Sequence, residues 1–240
     1  MLKQVFVINL DRRPDRMNEF IERCPKELDY QRFSAIDGQL LDTCIHYNKG
    51  IPESHAYTDS IYKFKRKKRI FGENGCYQSH YNIWKKVLDI NTIDERDMVM
   101  ILEDDLFFTE NFLKKLNTML NEFHSLNESN PNTFIYIAGR FTPDFKPSNT
   151  ILLEWKQKSS MLYERPHHTN LPGIYKDRTT TGYILTKAMI RNLIENTYMI
   201  NEIDKELEHY LTLQSNTIKV YDCFPHLGWS PINYKSDIQF

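Results

Sequence analysis

The stretch VMILEDDLFF, Val99 to Phe108, drives an apolar run into three consecutive carboxylates and then returns at once to apolar residues. Val99 to Leu102 are apolar without alternation and include two β-branched residues, the pattern of a strand buried on both faces. Glu103, Asp104 and Asp105 therefore stand where that strand ends. In open α/β sheets this carboxyl edge is where ligands bind. If the extended geometry continues, Glu103 and Asp105 point to one side and Asp104 to the other. Acids held this close repel, so one of them takes up a proton unless a cation or hydrogen-bond donors offset the repulsion. Hard oxygen ligands suit magnesium or manganese, which commonly bind through one or two carboxylates together with substrate phosphates. The plainer reading is an acidic loop that caps the next helix, with Thr109 as the cap before Glu110.

Outward from this stretch, the chain alternates strands and helices. Gln4 to Leu10 reads as the first strand and Pro14 to Arg23 as the helix after it, since Pro14 fits a first helical turn and Met17, Phe20 and Ile21 recur at helical spacing. Tyr30 to Ile36 offers a second short strand before an Asp37-Gly38 turn. Gly72 and Gly75 are expected to break the chain before a helical stripe of His80, Ile83, Trp84, Val87 and Leu88. Phe112, Leu113, Leu116, Met119, Leu120 and Phe123 mark another amphipathic helix, and Thr133 to Ala138 a further strand. Later elements follow at Gly182 to Leu185, Lys187 to Glu195, Asn201 to Leu213 and Thr217 to Phe224. With 240 residues, a single α/β domain can bury a sizeable core. Residues 39 to about 70 read as an excursion from it, and prolines 143, 147, 166 and 172 make 139 to 181 a region of long loops.

Composition narrows the function classes. Thirty-one basic against 32 acidic residues leave a net charge of -1, so no general attraction to nucleic acid is expected. The first turn lacks the glycine fingerprint of a dinucleotide site, which makes NAD or FAD a poor fit. Four scattered cysteines suggest neither a zinc module nor a disulfide framework, and Cys76 reads as structural rather than nucleophilic. The apolar start is too short for a membrane helix and is followed at once by DRRPDR, so the expected location is cytoplasmic, compatible with a membrane-associated acceptor. A basic cluster from Lys63 to Arg69 is either a solvated loop or a contact for phosphates or an anionic acceptor. His80 is either a satisfied core histidine or a contact at the site. The adjacent His167 and His168 read as loop residues that can touch a ligand or metal.

Taken together, several fragments resemble family 25 glycosyltransferases: VFVINLDRRPDRM at Val5 to Met17, FSAIDG at Phe33 to Gly38, GENGCYQSH at Gly72 to His80, ILEDD at Ile101 to Asp105, and TGYIL at Thr181 to Leu185 followed by Asp204. Each is weak alone, whereas their order along the chain is specific. The resemblance implies a GT-A-like nucleotide-diphospho-sugar transferase fold with a Rossmann-like, mostly parallel central sheet. It also implies inverting transfer of a hexose, galactose or glucose, from a UDP-sugar to a hydroxyl of a glycan, lipooligosaccharide or hydroxylysine-type acceptor, assisted by Mn2+ or Mg2+. By the same resemblance Asn9, Arg12 and Arg16 lie on the nucleotide side with His80 and Asp104, Asp105 and Asp104 are the metal candidates, and Asp204 is the acceptor-side base, with Glu103 orienting the site. The competing classes are a non-catalytic carbohydrate-binding protein and a metal-dependent nucleotidyltransferase or phosphoesterase.

Overall fold

A computed structural model describes residues 1–41, 67–126, 129–139, 156–165, 179–197, 203–213 and 217–231. Its centre is an eight-stranded sheet in the order β2-β1-β3-β9-β5-β10-β8-β7. The strands are β1 (Leu2–Asn9), β2 (Gln31–Ser34), β3 (Met98–Glu103), β5 (Thr133–Tyr136), β7 (Lys156–Gln157), β8 (Leu162–Glu164), β9 (Gly182–Thr186) and β10 (Lys219–Cys223). β1 pairs in parallel with both β2 and β3, and β5 with β10, while β9 and β8 run against their neighbours. The sheet is therefore mixed but mostly parallel in direction, in line with the α/β class expected.

Alternating side chains of the central strands feed two cores. On one face Val5, Val7, Met98, Met100, Leu102, Ile135 and Ile184 pack under α1 (Pro14–Arg23) and α3 (Phe112–Ser125). On the other, Phe6, Ile8, Val99, Ile101, Phe134, Tyr183 and Leu185 pack under α2 (Lys67–Leu88), α4 (Lys187–Asn196) and α5 (Ile203–Leu213). This is why β3 reads as a continuous apolar run: Met98 to Leu102 are all buried, alternately toward the two cores. Trp84 of α2 is fully buried, and truncating such a side chain to alanine typically costs about 3–5 kcal/mol.

A second, three-stranded sheet joins β4 (Phe107–Phe108), β11 (Gly228–Trp229) and β6 (Ala138–Gly139) just past the ends of β3 and β5. Gly228 is required there, because a Cβ would stand 2.6 Å from Leu106 Cδ1 and 2.8 Å from the Phe107 carbonyl oxygen.

Four local expectations change. The extended geometry stops at Glu103: Asp104 and Asp105 form a turn closed by Leu106 N–H on the Glu103 carbonyl at 3.2 Å, so the simple alternation of the three acids is lost. The helix after them starts at Phe112 behind Asn111 rather than at a Thr109 cap. Gly72 and Gly75 lie inside α2 rather than before it. Their value is close packing: a Cβ on Gly75 would meet the Ile36 carbonyl oxygen at 2.6 Å, and one on Gly38 would meet Gly72 Cα at 2.8 Å. Finally, Ile21 is 52% exposed, while Arg16 takes a buried place beside Met17 and Phe20. The reason is visible at the sheet edge, where buried carboxylates need a cation. Of the basic cluster, 63–66 lie outside the described residues, as do His167 and His168 and, from the expected loop region, 140–155 and 166–178, while the described stretch 156–165 holds β7 and β8 instead of loop alone.

Candidate active site

Strand register assembles the site. Ile8 of β1 pairs with Glu103 of β3, and Leu102 pairs with Gly182 of β9. One step further along each strand come Asn9, Asp104 and Thr181, and Glu103 N–H donates to the Thr181 carbonyl at 2.9 Å. Residues 95 and 77 positions apart in sequence thereby share one edge. A pocket opens over it, lined among others by Asn9, Arg12, Arg16, Asp37, Cys76, His80 and the acids Glu103 to Asp105.

The three acids have three different environments. Asp104 is closed off: Asn9 Nδ2 donates to its Oδ2 at 2.7 Å, Arg16 is ion-paired with its Oδ1, and Arg23 donates to its carbonyl at 3.1 Å while stacking 4.1 Å over the Phe107 ring. Asn9 itself is fixed by Arg32, whose Nη2 donates to its Oδ1 at 2.8 Å. Asp105 is less well supplied. Ser230 Oγ donates to its Oδ2 at 3.0 Å and Arg16 stands 3.7 Å away, but Oδ1 is buried with no hydrogen-bond partner among the described residues. Burial, then the charges of Glu103 and Asp104, push its pKa up to about 7 against the opposing pull of Arg16 and Ser230.

Glu103 ends a chain of hydrogen bonds. Trp84 Nε1, which can only donate, gives its hydrogen to Tyr183 Oη at 3.1 Å. Tyr183 in turn faces His80 Nδ1 at 2.8 Å, and His80 Nε2 faces Glu103 Oε1 at 3.2 Å. Donor counting orients the chain: Tyr183 donates to Nδ1, which leaves the hydrogen on Nε2 pointing at the carboxylate. Thr180 Oγ1 reaches the same Glu103 oxygen at 2.5 Å and Asp204 Oδ1 at 2.9 Å. Burial works to raise the Glu103 pKa, but the His80 and Thr180 hydrogen bonds and the charge of Arg16 outweigh it, and the carboxyl lies below its ordinary value. His80 is thus a buried residue and part of the site at once.

The donor set meets the needs of a hard divalent ion at one point above all, the orphaned, buried Oδ1 of Asp105, set in a pocket with an excess of carboxylates. Cys76, His80 and Glu103 also bring ligand atoms within 4.8 Å of one another. There, however, the histidine and glutamate are already bonded together, and the thiol pKa is pushed well up by burial and by Glu103, Asp204, Asp105 and Glu73. That trio is a closed, thiol-flanked hydrogen-bonding unit.

All eight residues singled out from the sequence lie at or next to this edge. Asn9, Arg12, Arg16, His80, Glu103, Asp104 and Asp105 line the pocket, and Asp204, in the first turn of α5, joins through Thr180. Arg12 is paired with Asp37 at 2.6 Å at the rim. Sequence reasoning passed over Thr180, Tyr183, Arg32 and Ser230. The threonine run 179–181 before a strand and the tyrosine inside TGYIL were the available signals for two of them; nothing local marks Ser230.

Residues 2–209 match the family described as Glycosyltransferase family 25 (LPS biosynthesis protein). Among curated proteins, the chain is similar to Procollagen lysyl hydroxylase and glycosyltransferase of Acanthamoeba polyphaga mimivirus, with 34% identity over 131 residues, 51% of this chain and 14% of that protein. It is similar to human Procollagen galactosyltransferase 2, 31% identical over 119 residues, 49% of this chain and 18% of the relative. It is also 30% identical over 136 residues, 56% of this chain, to Probable inactive glycosyltransferase 25 family member 3 of Bos taurus, covering 21% of that protein. The matched segments thus span about a fifth or less of these relatives. No helix among the described residues is long and apolar enough to cross a membrane.

Proposed function

This chain belongs to glycosyltransferase family 25, and we propose that it transfers a hexose, galactose or glucose, from a UDP-sugar to a hydroxyl of a glycan, lipooligosaccharide or hydroxylysine-type acceptor, with inversion. The observation that carries this reading is the pocket edge where Arg16 and Ser230 face Asp105 Oδ2 and its buried Oδ1 has no hydrogen-bond partner among the described residues. Family relatives named procollagen galactosyltransferases support the hexose and the hydroxyl acceptor.

Asp105 is the residue best suited to hold manganese or magnesium. When bound, such an ion supplies positive charge against the diphosphate leaving group. Asp104 has both oxygens committed to Asn9 and Arg16, so its contribution is to order the turn that presents Asp105. Asn9, Arg12 and Arg16 line the donor side. Inversion needs the attacking hydroxyl on the face opposite the leaving diphosphate, which calls for a base away from Asp105. We assign that part to Asp204, which belongs to α5 rather than to the acidic turn and joins the site through Thr180: it takes the acceptor proton, while Glu103, held by His80, orients the reacting centre.

A screen of nucleotide sugars with manganese against glycan, lipooligosaccharide and hydroxylysine-containing acceptors, reading both nucleoside diphosphate and glycosylated product, tests this reading. Asp204→Asn should lower turnover roughly 10²–10⁴-fold with donor affinity retained. Equal loss of donor affinity and turnover would move Asp204 to a donor-side or structural role. Donor binding without product from the unsubstituted protein would favour a sugar-binding protein instead.

A further inference from the structure

Thr180 is buried just before β9 and touches both carboxylates that bracket the proposed transfer. Its Oγ1 lies 2.5 Å from Glu103 Oε1 and 2.9 Å from Asp204 Oδ1, and its backbone N–H donates to that same Asp204 oxygen at 3.2 Å. Glu103 is in turn anchored by the buried series His80, Tyr183 and Trp84. One end of the bridge therefore rests on packed core, with Tyr183 stacked on Phe134 at 4.9 Å between ring centres. The other end is a carboxylate in the first turn of a helix.

We infer that Thr180 is a positioning residue for Asp204, setting the distance and orientation of that carboxylate relative to Glu103. The physical argument is steric as well as polar. Two carboxylates approached without a spacer repel, whereas a hydroxyl set between them donates its hydrogen to one or the other and keeps them apart. A hydroxyl has a single hydrogen, so the amide of Thr180 secures Asp204 when that hydrogen is given to Glu103. The same residue can then keep Asp204 aimed while its hydroxyl hydrogen is on either side. Thr180 need not contact donor or acceptor to do this. The inference rests on the reading of Asp204 as acceptor base.

Thr180→Ser, Thr180→Ala and Thr180→Val, assayed at saturating donor and acceptor and across donor concentration, provide the test. Loss of the hydroxyl in the alanine and valine variants should lower kcat on the order of 10- to 100-fold, the scale of a misplaced reacting group, with donor KM unchanged. Serine should restore most of kcat. Should valine prevent folding, as judged by thermal unfolding, the serine and alanine pair still decides, since those side chains differ only by the oxygen. Full kcat in the alanine variant, a serine variant as impaired as alanine, or a loss confined to donor KM would each overturn the assignment. If Asp204→Asn abolishes transfer while Thr180→Ala does not, the positioning role alone is lost. Absence of product from the unsubstituted protein with every donor overturns the transferase reading, and this inference with it.

Discussion

Two buried arginine–aspartate assemblies stand on the central sheet, and they are built to different charge balances. Arg165 and Asp222, each with side chains 6% exposed or less, close on one another through two hydrogen bonds of 2.7 and 2.6 Å, with the guanidinium 4.5 Å over the Tyr136 ring. Arg16 instead faces Asp104 and Asp105 together, with Glu103 one residue away. The first pair is neutral and tethers β8 to β10. The second carries excess negative charge in a pocket, an arrangement that costs stability and that a bound cation, as proposed above, would relieve. Balance marks a structural pair, and imbalance in a cleft marks a candidate site.

The strongest way to break this comparison is to remove the excess. Asp105→Asn should reduce cation-supported transfer by roughly 100-fold or more, the scale of losing several kcal/mol of charge stabilisation at the leaving group. A manganese titration of initial rates reads it. Unchanged turnover and unchanged manganese response would place the ion elsewhere.

Breaking the balanced pair should act on folding instead. Asp222→Ala leaves Arg165 buried without its carboxylate and should cost about 3–5 kcal/mol, read from denaturant midpoints. Replacing both partners with apolar residues, Arg165→Met with Asp222→Leu, should recover most of that loss. Equal destabilisation in the single and double variants would mean that packing, rather than charge, holds this corner.

The pH effects are the most diagnostic, because the two assemblies predict opposite slopes. His226 has a buried Nδ1 next to the Arg165–Asp222 pair, and burial lowers its pKa from 6.5 to about 4. Between those values the unfolded chain takes a proton that the folded chain refuses, so stability falls as pH drops from 6.5 toward 4. Asp105 runs the other way. Its pKa rises from 3.8 to about 7, so over that window the folded chain keeps a proton that the unfolded chain has released. Stability is then lost as pH rises toward 7. In metal-free protein, His226→Asn should flatten the first slope and Asp105→Asn the second. Thermal midpoints across pH 4 to 8 that move together in both variants would erase the distinction drawn here.

Much of this was legible in the chain because strands and helices announce themselves locally. The unbroken apolar run into Glu103, Pro14 opening α1 and the helical stripe through Phe123 depend on neighbours a few positions away, and apart from the start of α2 the predicted elements fall within a few residues of those observed. The ordered fragments from Val5 to Asp204 brought the family into view, and the family match covers the same span. Reading failed where a residue's reason lies across the fold. Gly72 and Gly75 looked like breaks because their close contact with Ile36 and Gly38 is tertiary. Arg16 was singled out for the nucleotide side, but its burial in place of Ile21 was not foreseen, because the carboxylates that draw it inward are nearly ninety positions away.

By itself, then, the sequence determined the α/β alternation, the strand that ends in acids and the inventory of charged groups, since backbone propensity and hydrophobic period are properties of short segments. Only the tertiary structure decided how those acids differ. Register between β1, β3 and β9, and the small sheet that brings Ser230 to Asp105, closed Asp104, tied Glu103 to His80 and Thr180, and left one buried oxygen of Asp105 unpartnered among the described residues. Adjacent carboxylates are chemically alike in a chain. They become unlike only when folding assigns each its own donors, charges and exposure to water.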